Sequence, residues 1–167
     1  MGTFGMNDSG YFEYNGDNPK EFGEQKYQES IKNYQQMEKR FKDLPDTRIV
    51  MVGTSPYDET VQLKENVPFK TKNETIKRIV EYQKESAAKN NWEFTDLNAP
   101  MVALNQQNQQ KDPAFTLCGS DRIHPDNDGH MVMAYLFLKA QGFVGKEVAE
   151  MEINANKKQA VKSENCT

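Results

Sequence analysis

The chain has 167 residues, which allows one domain at most. A hydrophobic content of 36%, a mean hydropathy of -0.90 and a net charge of -4 describe a polar, mildly acidic chain. It has no basic patch or Arg-Lys stripe of the kind nucleic-acid binding needs, and no apolar run long enough to span a bilayer. Lysines are scattered among Glu and Asp and read as solvated surface. The first residues have neither the basic region nor the long apolar core of a signal peptide, which bears on secretion only if Met1 is the native start. Two cysteines, Cys118 and Cys166, make no disulfide framework. Two histidines far from any cysteine pair argue against zinc, and no cofactor motif is present.

In chain order, Gly2 to Phe4 is an apolar stub that reads as the carboxyl end of a buried parallel strand. Tyr11 to Gly23 is a polar loop with aromatics, either bordering a cleft or plain surface. Lys26 to Phe41 predicts a helix, with Tyr27, Ile31, Tyr34, Met37 and Phe41 on one face and Pro45-Asp46 breaking it. Arg48 to Gly53 is a β-branched apolar run and reads as a buried strand. Thr54 to Asp58 leaves its carboxyl end, where ligands bind in open α/β sheets. Ser55 lies there, but no tight nucleophile turn surrounds it.

Thr71 to Glu74 has capping-box spacing. The helix after it buries Ile76, Ile79, Val80 and Ala87 and stops at Asn90-Asn91. Trp92 to Leu97 predicts a strand, and Asn98 to Met101 opens a short helix. The Gln/Asn cluster 106–110 reads as an exposed helix end. Met131, Ala134, Tyr135 and Leu138 are the expected apolar face of a last helix, which Gly142 ends. Beyond it, Val148, Met151 and Ile153 alternate like a one-sided strand, and 157–167 reads as a frayed polar tail. Strands alternating with helices predict an α/β domain with a parallel sheet. No Gly-rich phosphate loop follows any strand, which disfavours a nucleotide binder.

Two motifs carry chemistry. Gly119 to His130, GSDRIHPDNDGH, places Asp121 three residues before His124, with Pro125 ending the turn. A carboxylate bonded to one ring nitrogen fixes the tautomer and leaves the other nitrogen as a base. The same D-x-x-H also describes a plain turn, with Asp121 capping a backbone N–H and His124 at the surface. At the other end, Gly5-Met6-Asn7-Asp8 is a G-x-N-D block after the first apolar stub. His130 reads as packing at the helix start, and Cys118 as a small buried residue.

G-x-N-D at a strand end, with D-x-x-H-P and a helix opening on Gly-His near the other end, resembles the SGNH (GDSL-like) hydrolase family over residues 2 to about 143. RIVMVGTSPYD (48–58) and WEFTDLNAPM (92–101) are similar to the family's fourth and fifth strands. The resemblance implies a three-layer, flavodoxin-like sheet of about five parallel strands, of which the last three would be present. It makes 1–145 a partial hydrolase domain and 146–167 a tail or the start of a further segment. It implies a serine esterase acting on a small ester or an O-acetylated sugar. His124 and Asp121 would be the catalytic dyad, Asn7 and Gly5 would line the oxyanion hole, and Asp8 would support the loop. One oxyanion donor is worth about 3 kcal/mol.

One departure stands out: the family's Gly-Asp-Ser nucleophile block does not occur among these residues. The expectation is therefore an incomplete piece with little activity alone and an unpaired apolar sheet edge open to self-association. The family resemblance implies secretion or a periplasmic location if a signal peptide lies upstream. The alternatives are a binding module for an ester or carbohydrate, and one part of a two-chain assembly.

Overall fold

The computed structural model describes residues 2–147 and 149–164. Three short strands form its parallel sheet: β1 (Gly2–Phe4), β2 (Val50–Gly53) and β3 (Glu93–Asp96), in the order β1-β2-β3. Gly2 is level with Met51, and Met51 with Phe94, so the three strands end at one edge.

Alternation along β2 divides the core. Val50 and Val52 point to one face, where they pack with Leu97, Met101 and Leu117 against Val132, Met133, Leu136 and Phe137. Met51 points to the other, among Tyr34, Ala87 and the half-buried Met37, Phe41 and Trp92. Two long helices, α1 (Pro19–Lys42) and α2 (Lys72–Lys89), therefore cover one face. The other carries α3 (Asn98–Gln109) and α4 (Asn127–Ala140). This is the three-layer α/β architecture expected, with helices burying both faces of a parallel sheet.

Several elements differ from their sequence reading. α1 begins at Pro19, and a short 3-10 turn (Phe12–Asn15) occupies the supposed loop. Pro19 at the first helical position has no N–H to leave unpaired, so a polar segment without an apolar stripe still starts a helix. Thr71 makes no cap bond and sits at φ 67. The carboxylate of Glu59 accepts instead from the N–H groups of Thr71 (3.0 Å) and Asn73 (2.5 Å). The capping box is thus replaced by an acid from another loop.

The buried face of α4 is not the one expected. Met131 and Tyr135 are more than half exposed and Leu138 nearly so, while Val132, Met133, Leu136 and Phe137 meet the core. Residues 131–138 are apolar all round, so periodicity cannot choose a face, and docking onto the sheet does. The tail also departs from its reading. β4 (Glu150–Asn154) falls where a strand was expected, but its Met151 and Ile153 are exposed, and β5 (Gln159–Glu164) pairs antiparallel with it in a hairpin where fraying was expected. Val148 and residues 165–167, with Cys166, lie outside the described residues. No helix among the described residues is long and apolar enough to cross a membrane.

Candidate active site

The carboxyl edge of the sheet is where the two motifs meet. Gly5 follows β1 directly, with φ +134, a backbone conformation that L side chains rarely adopt. It is buried against Thr54 and Ile79, and the chain then turns so that Asn7 and Asp8 stand exposed. The loop closes on itself through Ser9 N–H to Gly5 O (3.0 Å), Gly10 N–H to Asn7 O (3.2 Å) and Ser9 Oγ to Met6 O (2.7 Å).

Asp121 and His124 form a bonded pair. His124 Nδ1 lies 2.6 Å from Asp121 Oδ2, while Asp121 Oδ1 accepts the backbone N–H of Ile123 and of His124, each at 2.9 Å. Burial tends to raise the Asp121 carboxyl. The bonds from the His124 ring and the two N–H groups outweigh it and hold the carboxyl below its ordinary value. Both sequence readings of D-x-x-H are thus realised at once: Asp121 caps the turn and also grips the ring. The imidazole side chain is 82% exposed.

Gly119 opens this turn at φ +68, where an added Cβ would collide with the carbonyl oxygen of His124. A side chain there would meet strain and a clash together. The main anchor is Arg122, which spacing did not single out. Its side chain is 1% exposed and its backbone is left-handed at φ 68. The guanidinium donates to the carbonyls of Asp58 (3.0 Å), Val61 (2.8 Å) and Asn66 (2.6 Å), and Arg122 O accepts from Asp58 N–H (3.0 Å). It ties the dyad turn to the loop that follows β2. The signal that could have found it is a lone Arg beside a turn glycine, too common to act on.

Contacts link the Asn7 loop to the dyad turn. Met6 and Ile123 pack on one cluster of Tyr57, Ile76 and Val80. Tyr11 donates its hydroxyl to Asn7 Oδ1. Its phenol is raised above its usual range by burial, then by the negative charges of Asp121 and Asp8. Asn7, Tyr11 and Asp121 thus lie on one side of the molecule, within electrostatic reach. His130 is exposed in the first turn of α4, where packing was expected.

Cys118 is fully buried, donating to Pro56 O (3.2 Å), and burial pushes its thiol up to about 12. It is therefore a neutral thiol near pH 7 and no nucleophile. Ser55 is buried as well. Among the described residues one acidic triplet, Glu147, Glu150 and Glu164, has oxygens close enough to share a cation, and all three are exposed.

A parallel three-layer α/β fold, with an Asp-His pair and an exposed side-chain amide at the carboxyl edge of its sheet, defines a class of hydrolases. The chain belongs to the GDSL-like lipase/acylhydrolase family, whose model matches residues 1–137. Among solved structures it is similar to a gut microbial diltiazem-metabolizing enzyme, with 84% identity and a TM-score of 0.87. That match covers 99% of this chain and 37% of the other, so the chain spans little more than a third of that protein's length. It is also similar in fold to a catalytic mutant of an acetylxylan esterase from Geobacillus stearothermophilus, at 20% identity and a TM-score of 0.50. That second match covers 84% of this chain and 57% of the other. No curated protein matches the sequence.

Proposed function

We propose that this chain carries the acid-base and oxyanion parts of a serine ester hydrolase, and that the nucleophile is supplied by residues it does not contain. The observation carrying this reading is the 2.6 Å contact between Asp121 Oδ2 and His124 Nδ1, on a carboxylate already fixed by two N–H donors. With Nδ1–H bound, Nε2 is the free base. It takes the proton of an attacking hydroxyl as the oxygen bonds to the ester carbon. It then returns that proton to the leaving alkoxide as the C–O bond breaks. Asp121 orients the ring and stabilises the imidazolium. Asn7 supplies the oxyanion donor: Tyr11 occupies its Oδ1, which leaves the Nδ2 hydrogens for a developing negative oxygen. The N–H of Gly5 is a second candidate donor, and Asp8 supports the loop.

For substrate we infer small acetate esters, including O-acetylated sugars. A relative 84% identical to this chain is a diltiazem-metabolizing enzyme, and the family model is that of a lipase/acylhydrolase. Two features favour a second reading, in which the chain alone binds but does not turn over: no Gly-Asp-Ser block occurs in its sequence, and the imidazole is open to water. The free edge of β1, with the apolar groove lined by Thr3, Val52, Leu97, Met133, Ala134 and Phe137, is where we place association with a further segment or a second copy.

Hydrolysis of p-nitrophenyl acetate tests the proposal. Alone, the chain and its His124→Ala variant should be equally slow. Adding a family segment with a Gly-Asp-Ser block should raise the native rate by about a thousandfold or more and leave His124→Ala behind. Equal rates in the complemented pair would contradict a role for His124.

A further inference from the structure

We propose that Lys72 is the positioning residue of the Asn7 loop, its side chain enclosed beneath residues 6–10 and setting where the Asn7 amide stands. Lys72 is the first residue of α2, where the helix dipole disfavours a cation, yet its side chain is fully buried. Its partners lie in the loop sixty-odd residues away. Nζ is 3.2 Å from Met6 O and 2.6 Å from Ser9 Oγ, and it also donates to Gly10 O. Those three oxygens bracket Asn7 on both sides in sequence. The ammonium also sits 4.0 Å from the centre of the Tyr11 ring, whose hydroxyl holds Asn7 Oδ1. Lys72 therefore reaches Asn7 by two routes: through the loop backbone and through Tyr11.

The groups facing Lys72 are Tyr11 and Tyr14 from the N-terminal segment and Tyr57 and Glu59 from the loop after β2. Asp8 is exposed on the held loop itself. Glu59 supports the charge, but burial outweighs it and lowers the ammonium from 10.5 to about 7. An ammonium has three N–H groups for three loop oxygens, whereas a neutral amine has two and no charge to place on the Tyr11 ring. The grip on the loop should thus weaken as pH rises through neutrality.

The functional meaning of this clamp rests on the reading of Asn7 as an oxyanion donor. The test reads the loop alone, so the two can fail separately. The 167-residue chain is prepared with His124→Ala and His130→Ala, so that it holds no imidazole. The Asn7 side-chain amide and the Gly10 backbone amide are followed by NMR from pH 5.5 to 9, with the Lys72 Cε signal alongside. All three should share a midpoint within about one unit of 7, while the Val52 and Thr95 amides stay still. Lys72→Met should abolish the midpoint at Asn7 and Gly10. The proposal is overturned if Lys72→Met leaves the Asn7 and Gly10 amide signals at pH 5.5 where they stand in the Lys72 protein, or if the midpoint survives in Lys72→Met. If the Met variant does not fold, agreement or disagreement between the Lys72 Cε and Asn7 midpoints decides the matter.

Discussion

Two loops at the carboxyl edge of the sheet raise an exposed polar tip above a buried cation. The dyad turn presents His124 over Arg122, whose guanidinium holds the carbonyls of Asp58, Val61 and Asn66. The Asn7 loop stands over Lys72, which holds Met6 O, Ser9 Oγ and Gly10 O. In both, a charge taken out of water is held mainly by loop oxygens, most of them backbone carbonyls, and Lys72 also has the carboxylate of Glu59 facing it. The difference lies in the cation. A guanidinium keeps its charge at any working pH, while an ammonium in such surroundings can lose it. One side of the site is therefore held independently of pH, and the other is held through a titrating group.

The largest break should come from Arg122→Met. It leaves three carbonyls, two of them buried, without their donor and should destabilise the chain by about 3–5 kcal/mol, read from urea unfolding. A loss under about 1 kcal/mol would remove Arg122 as an anchor.

Lys72 gives the next largest effect, and it depends on pH. Its value is about 7 in the folded chain against an ordinary 10.5. Between those limits the unfolded chain binds a proton that the folded chain does not, so this group makes stability rise with pH. Below about 7 the full cost of the buried charge remains. The native protein should therefore gain on Lys72→Met by about 2 kcal/mol from pH 7 to 9, at up to 1.4 kcal/mol per unit. A difference constant over that range would mean that Lys72 does not titrate there. Global stability and local grip on the Asn7 loop should move in opposite directions, which separates the two measurements.

Gly119→Ala should cost about 1–3 kcal/mol, because it adds a side chain at φ +68 against the His124 carbonyl. The loss should appear in thermal unfolding, together with a weakened Asp121–His124 contact. The smallest effect is expected away from both loops. Tyr135→Ser, on the exposed face of α4, should change stability by no more than about 0.5 kcal/mol. A larger loss there would mean that the apolar face of α4 is covered in solution.

What the sequence revealed divides along the same line as the two loops. The tips were legible because spacing encodes them: Asp121 three residues before His124, and Asn7 two residues after the glycine that follows β1. The sheet and the Ile76, Ile79, Val80 and Ala87 stripe were legible because periodicity follows burial. The anchors were not. Charged residues read as solvated surface, and the carbonyls that make Arg122 and Lys72 exceptions lie 56 to 66 positions away. The Glu59 cap of α2 was hidden for the same reason, since its partners are 12 and 14 residues off. The face of α4 was misjudged because that helix is apolar all round. In the terminal hairpin, alternation marked β4, while β5 was missed because it is polar and exposed on both sides.

The central claim is that Asp121 holds His124 with its Nε2 free to act as base. Nitrogen-15 NMR of the neutral His124 ring tests this most directly in the chain as it stands. The account predicts the proton on Nδ1 in the native chain and a shift towards the Nε2–H tautomer in Asp121→Ala. A native ring with its proton on Nε2, or one indifferent to the loss of Asp121, would contradict it.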